Sequence, residues 1–144
     1  MLPGYFLQSG AFSASQRAAC FAYRAAQFAA VGVATAAAGQ ALTMGLVGVR
    51  SLVRGVLMPP AQVDTEAEST NVELAPIGPT CTNYAVFMGA SSNTRYQIVN
   101  SMEARCVHLL PAPARVPISA SVRLFNNYIG SASWIWWAKR QGLQ

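Results

Sequence analysis

Residues 25–49 read AAQFAAVGVATAAAGQALTMGLVGV, 25 consecutive positions without a charge. Arg17 and Arg24 precede the run, and Arg50 and Arg54 follow it. About 20 mainly apolar residues cross a bilayer core as a helix, so the first expectation for the fold is a transmembrane helix. The stretch is built from Ala, Gly and Val rather than Leu and Ile. Small residues recur at every fourth position: Ala18, Ala22, Ala26, Ala30, Ala34 and Ala38. Such a stripe lets a neighbouring backbone approach closely in a membrane. With this much alanine, a spacing set by composition alone is an equal reading. Gln27 and Gln40 are costly against lipid and are expected to face protein.

The composition points the same way. The chain has 144 residues, 53% hydrophobic and only 10% charged, whereas a soluble domain carries about 25% charged residues. The length excludes a large multi-domain enzyme, and the hydrophobicity excludes a disordered chain. Three cysteines (Cys20, Cys81, Cys106) are too few and odd in number for a disulfide-stapled secreted module. The net charge is +5, arranged basic, acidic, basic. Residues 1–63 hold four arginines and no acid; residues 64–103 hold all five acids and Arg95; residues 104–144 hold five bases and no acid. The bases sit at the ends of apolar stretches rather than in a dense patch. That placement fits membrane flanks and argues against a nucleic-acid partner. The acid-free N-terminus with Arg, Ser and Ala resembles an organellar targeting segment; the alternative is a mature N-terminus.

Outward from the central run, Met58-Pro59-Pro60 stops the first helix, because proline cannot continue it. Residues 61–75 read as a polar, acidic linker. A second helix is expected over 80–108, capped by Thr80, Thr82 or Asn83. The polar run Ser91–Gln97 inside it needs partners. Residues 111–117 (PAPARVP) carry three prolines and read as a stiff connector to a third helix over 118–140. Trp134, Trp136 and Trp137 followed by Lys139 and Arg140 read as a membrane-interface anchor; the alternative is a packed aromatic cluster. The expected organisation is an N-terminal segment, 1–13, and one helical membrane domain, 14–144, with helices over about 14–57, 80–108 and 118–140. The fold class is all-α: an integral membrane protein of about three helices, at least one of them transmembrane.

Catalytic signals are sparse. There is one histidine, His108, and the cysteines show no CxxC spacing, so no metal site is expected. No Gly-rich phosphate loop and no G-x-S-x-G is present, and no enzyme activity or catalytic residue is expected. The polar residues form two helical stripes instead: Asn93, Gln97 and Asn100 with Arg95 and Glu103 on the second helix, and Arg123, Asn126 and Asn127 on the third. They read as a polar zipper that fixes helix pairing, with a substrate or ion path as the alternative. Glu103 is expected to pair with a base on another helix, such as Arg123, since an unpaired charge near lipid is costly.

Met88-Gly89-Ala90-Ser91-Ser92-Asn93-Thr94-Arg95-Tyr96-Gln97-Ile98-Val99-Asn100, with Glu103 after it, resembles the signature of the RETICULATA-related family of plants and algae. The C-terminal run is similar to that family's ending: Val122-Arg123, Asn126-Asn127, Gly130, Trp137-Ala138-Lys139 and Gly142-Leu143-Gln144. Trp136 stands where an acidic residue is expected before Trp-Ala. The resemblance covers roughly residues 25–144. It implies an organellar membrane protein, with the plastid envelope or thylakoid favoured and the mitochondrial inner membrane as the alternative. The expectation is a reduced member of the family, without the long N-terminal extension and transit peptide that members carry. The functional expectation is a non-catalytic accessory subunit of an organellar membrane complex, partnered by other membrane subunits and the lipid bilayer. The alternative is a small homo-oligomeric envelope protein in metabolite transport, with Arg95 and Arg123 touching an anionic substrate. No cofactor is expected, with room left for a bound lipid or pigment.

Overall fold

A computed structural model of the chain describes residues 2–57 and 75–143. The acidic linker expected over 61–75 lies outside the described residues apart from Ala75, as does the Met58-Pro59-Pro60 stop. Among the described residues all regular structure is helical. Helix α1 (Ala14–Leu57) has 44 residues and is about 66 Å long at 1.5 Å per residue. It opens with a reciprocal cap: the Gln16 amide N–H donates to Ser13 Oγ, and the Ser13 amide N–H donates to Gln16 Oε1, which satisfies two orphan donors of the first turn.

The second expected helix begins earlier than residue 80 and is not uniform. It consists of α2 (Ile77–Phe87), a π-helical segment (Met88–Ser92) and α3 (Asn93–Cys106), closed by a 3₁₀ turn over Val107–Leu109. Its N-cap is Pro76. The expected caps are occupied differently: Thr80 Oγ1, Thr82 Oγ1 and Asn83 Nδ2 donate back to the carbonyls of Pro76, Gly78 and Pro79. The third helix also starts early. α4 runs Ala112–Arg140 with Pro111 as its N-cap, so the proline-rich stretch is the helix's first two turns rather than a connector. The reason is local. Proline in the first turn lacks only an N–H that has no intrahelical acceptor, and its fixed φ suits the helix. Only Pro117, inside the helix, removes an internal bond. At the far end Gly142 has φ +68°. It turns the chain so that the Leu143 and Gly142 amides donate to Ala138 and Lys139 carbonyls, satisfying the last turn.

The α2–α3 rod lies between α1 and α4 and runs antiparallel to both. On one side, a Cβ at Gly32 would lie 3.0 Å from Ala85 Cα, and one at Gly89 would lie 3.2 Å from the Ala25 carbonyl oxygen. These two glycines set the closest approach of α1 and the rod. The α1 face used is Ala25, Phe28, Ala29, Gly32, Ala36 and Gln40; the stripe Ala18, Ala22, Ala26, Ala30, Ala34 and Ala38 is exposed along its whole length. Gln40 faces protein as expected, its Nε2 reaching the Ala75 carbonyl. Gln27 is exposed and accepts from Arg24 Nη1.

Among the described residues the buried apolar side chains are Cys20, Phe87, Val99 and Ala138, with Pro3 buried in the segment before α1. The segment before α1 is held by carbonyl clamps. Arg17 Nη1 donates to the Phe6 and Gln8 carbonyls, Arg24 Nη2 to Gly4, and Arg105 Nη2 to Leu7. Guanidinium donors here bond backbone oxygens, because Glu103 is the one acid among the described residues.

Candidate functional site

The π segment takes in the first two residues of the polar run, Ser91 and Ser92, and single-turn π segments are frequent at functional sites. Two faces follow from it. On one face Asn93, Gln97 and Ser101 are buried. Asn93 Nδ2 donates to the Phe21 carbonyl of α1, Gln97 Nε2 donates to Asn93 Oδ1, and Gln97 Oε1 accepts from the Phe6 amide at 2.7 Å. Ser101 Oγ closes the chain on the Gln97 carbonyl. This corrects the expected zipper: Asn93 and Gln97 turn to α1 and the N-terminal segment, not to α4. Asn100, on the same side of α3, is half-buried.

The other face looks toward α4. Glu103 and Arg123 come together as an ion pair, with Arg123 Nε 3.0 Å from Oε1 and Nη2 on Oε2. The Ser119 hydroxyl donates to the same carboxylate. Burial raises the Glu103 pKa, but the bonds from Arg123 and Ser119 outweigh it and hold the carboxyl below its ordinary value. The Arg123 guanidinium is correspondingly held above its own.

Above this pair lies a cavity of about 630 Å³ between α3 and α4, floored by α1 and α2. Arg95, Arg123, Asn126 and Asn127 mark its polar end; Tyr84, Phe87, Met88 and Trp134 line its apolar end. Arg95 sits over the Phe87 ring, 5.5 Å from its centroid. Its Nη1 donates to Ser91 Oγ and its Nη2 to Ser92 Oγ, while its Nε is buried without a partner. Gly130 leaves room for the guanidinium: a Cβ there would lie 2.9 Å from Nη2. Sequence reasoning missed Gly130, Ser91 and Ser92 as a cradle for Arg95. The spacing of the two serines, three and four residues before the arginine, was the available signal.

The expected interface anchor divides. Trp134 turns inward, 4.6 Å from the Tyr84 ring and 5.4 Å from Phe87, in the packed-cluster arrangement. Trp136 points outward with the Arg140 guanidinium 4.2 Å from its ring centroid, and Lys139 is exposed beside it. Trp137 is half-buried, with its indole N–H unpartnered. Cys106 and His108 are exposed, and no cluster of three metal-ligating side chains occurs among the described residues.

A family profile described as Protein RETICULATA-related matches residues 2–102. The chain belongs to the RETICULATA-related family. Its match to that family begins further toward the N-terminus than residue 25 and takes in the carbonyl-clamped segment. The chain is 32% identical over 138 residues to Protein RETICULATA, chloroplastic, of Arabidopsis thaliana, covering 92% of this chain and 29% of that protein. It is 32% identical to Protein RETICULATA-RELATED 1, chloroplastic, with the same coverage. It is 30% identical over 142 residues to Protein RETICULATA-RELATED 4, chloroplastic, covering 96% of this chain and 34% of that protein; both are from the same plant. The chain thus spans about a third of the length of these RETICULATA-related proteins. No solved structure matches.

Proposed function

We propose that the chain is a non-catalytic structural subunit of a plastid membrane complex, anchored by α1. The observation that carries this reading is the far half of α1. Leu42 (66%), Met44 (50%), Val47 (38%) and Leu52 (71%) are exposed, pointing to several sides of a helix that projects past the rod. Water does not tolerate such a continuous apolar surface in a monomer, whereas lipid or neighbouring helices cover it. α1 is long and apolar enough to cross a membrane by length and composition.

Two further features support the reading. The rod packs antiparallel along the first half of α1 and α4 along the rod, so the rod's uncharged stretch starts near Gln40 of α1 and ends near Phe21. Residues 77–94 and 124–138 carry no charge and are about 27 and 22 Å long as helix, against a hydrocarbon core of about 30 Å. The hydroxyls within this layer bond their own helix. Thr35, Thr43, Ser131 and Ser133 donate to the carbonyls of Val31, Gly39, Asn127 and Ile129, so these four hydroxyls are not left bare toward lipid. The plastid assignment rests on the chloroplastic relatives, whose names mention no mitochondrion.

The test is extraction in mild detergent, separation on a native gel and mass spectrometry of whatever migrates with the chain. Co-migration with larger, unrelated membrane subunits in fixed stoichiometry is the expected result. Migration alone as a small closed homo-oligomer overturns it and favours a metabolite carrier, the second reading, which the Arg95 cavity supports. In a carrier, Arg123→Ala stops flux and leaves the oligomer intact; in a subunit, it loosens assembly.

A further inference from the structure

The cavity between α3 and α4 carries a charge that no acid among the described residues cancels. Two guanidiniums line it, but they are not equivalent. Arg123 is neutralised by Glu103. Arg95 bonds only the neutral hydroxyls of Ser91 and Ser92, its Nε–H is buried and unused, and no carboxylate of the described residues pairs with it. A guanidinium has five donors fixed in a plane, and this one keeps donors to spare for a planar or tetrahedral anion. Among the described residues the site therefore presents one positive charge without a counter-charge. The side amides of Asn126 and Asn127 lie at the same end.

The wall beside the guanidinium has a different chemistry. Tyr84, Phe87, Met88 and Trp134 form an apolar wall that runs from Arg95 into the uncharged layer. A free inorganic anion uses none of that wall. The volume, about 630 Å³, falls in the range of about 300–1,000 Å³ that small-ligand sites occupy. The polar end sits where the uncharged stretches of the helices stop, the depth at which a lipid headgroup lies.

We propose that this cavity binds one anionic glycerolipid, with its monoanionic head on Arg95 and one acyl chain along the wall of Tyr84, Phe87, Met88 and Trp134. The proposal rests on the membrane part of the preceding reading and not on membership in a complex. Gly130 and the two serines hold the guanidinium in the cavity mouth, and the π segment puts those serines beneath it.

The test is native mass spectrometry of the detergent-purified full chain, titrated separately with phosphatidylglycerol, phosphatidylcholine and inorganic phosphate. The expected result is one phosphatidylglycerol retained per chain in preference to phosphatidylcholine, with no displacement by millimolar phosphate. Arg95→Gln removes a charge-assisted contact and is expected to weaken phosphatidylglycerol binding about tenfold or more. Gly130→Ala moves only the flexible end of Arg95 and is expected to weaken binding without loss of helical signal. Arg115→Gln, on the exposed first turns of α4, is expected to bind as the wild type does. Equal retention of the two lipids by the wild type overturns the proposal, as does unchanged binding in both Arg95→Gln and Gly130→Ala. Displacement of the lipid by phosphate alone also overturns it, since the wall then has no role. The three wild-type titrations decide the matter even where Arg95→Gln fails to fold. Carbonate extraction of the same membranes separates the two readings: release of the wild-type chain removes the membrane reading, whereas a retained wild type without lipid preference removes only this one.

Discussion

Glu103 shows how one side chain ties two helices in a chain with few acids. It receives Arg123 and the Ser119 hydroxyl, both from α4. The Arg123 side chain is half in solvent at 53% exposure, so the ion pair is worth the ~0.2–1 kcal/mol of an exposed pair rather than that of a buried one. Glu103→Gln is expected to lower stability by an amount in that range, seen as a small drop in the thermal midpoint, and to loosen α4, read by circular dichroism and limited proteolysis. The pH dependence follows from the direction of the shift. The folded carboxyl titrates below its unfolded value, so its contribution is complete above the ordinary carboxylate range and is lost as pH falls through the folded pKa. The wild type should lose stability on acidification below about pH 4, and the Gln variant should lose less over the same interval. A variant with the same acid sensitivity as the wild type would remove Glu103 from this role. The pairing was legible in the sequence because five acids leave few choices. The Arg95 cradle was not, because a Gly on another helix completes it.

At the scale of the helices, what sequence could read was the uncharged run and the order of three helical stretches. What it could not read was which side of α1 is used. Alanine occupies both the exposed stripe and the packed face, so four-residue periodicity alone does not discriminate. The decision comes from Gly32 and Gly89, where the backbones of α1 and the rod meet most closely. This makes a paired prediction. Gly32→Leu forces a side chain into Ala85 and Met88 and is expected to separate α1 from α2 at a cost of about 1–3 kcal/mol, seen as a lowered melting temperature in detergent. Ala30→Leu, on the exposed stripe, is expected to leave that melt unchanged and to weaken association with neighbouring helices, seen on a native gel. If Ala30→Leu lowers the melt and Gly32→Leu does not, the packed face has been assigned wrongly. The start of α4 was misread for a related reason. Three prolines in seven residues look like a connector, yet two of them stand at the cap and in the first turn, where proline fits a helix.

Across the whole molecule, the described residues have a small core and a large apolar surface. Cys20 is buried, Cys81 on α2 is half-buried and Cys106 is exposed near the end of α3. The proposed layering predicts their reactivity. In membrane vesicles opened to both sides, a hydrophilic maleimide should modify Cys106 quickly, and Cys81 and Cys20 only after denaturation, as mass spectrometry of the peptides would show. Rapid labelling of Cys81 would mean that the α2 layer faces water, contrary to the anchored arrangement.

The π segment Met88–Ser92 leaves one legacy for how this chain can change. An α-helix turns about 100° per residue, so the segment acts as a phase shift between α2 and α3. Ala85 upstream of it and Gly89 within it meet α1; downstream, Asn93 and Gln97 still face α1 while Arg95 faces α4. A substitution within the segment alters one contact. Deletion of one codon from it would rotate all of α3 at once, carrying Asn93 and Gln97 off α1 and Arg95 off α4. Length here is therefore under tighter constraint than composition, and a single-residue gap is a heavier lesion at this point than an exchange of any one of its side chains.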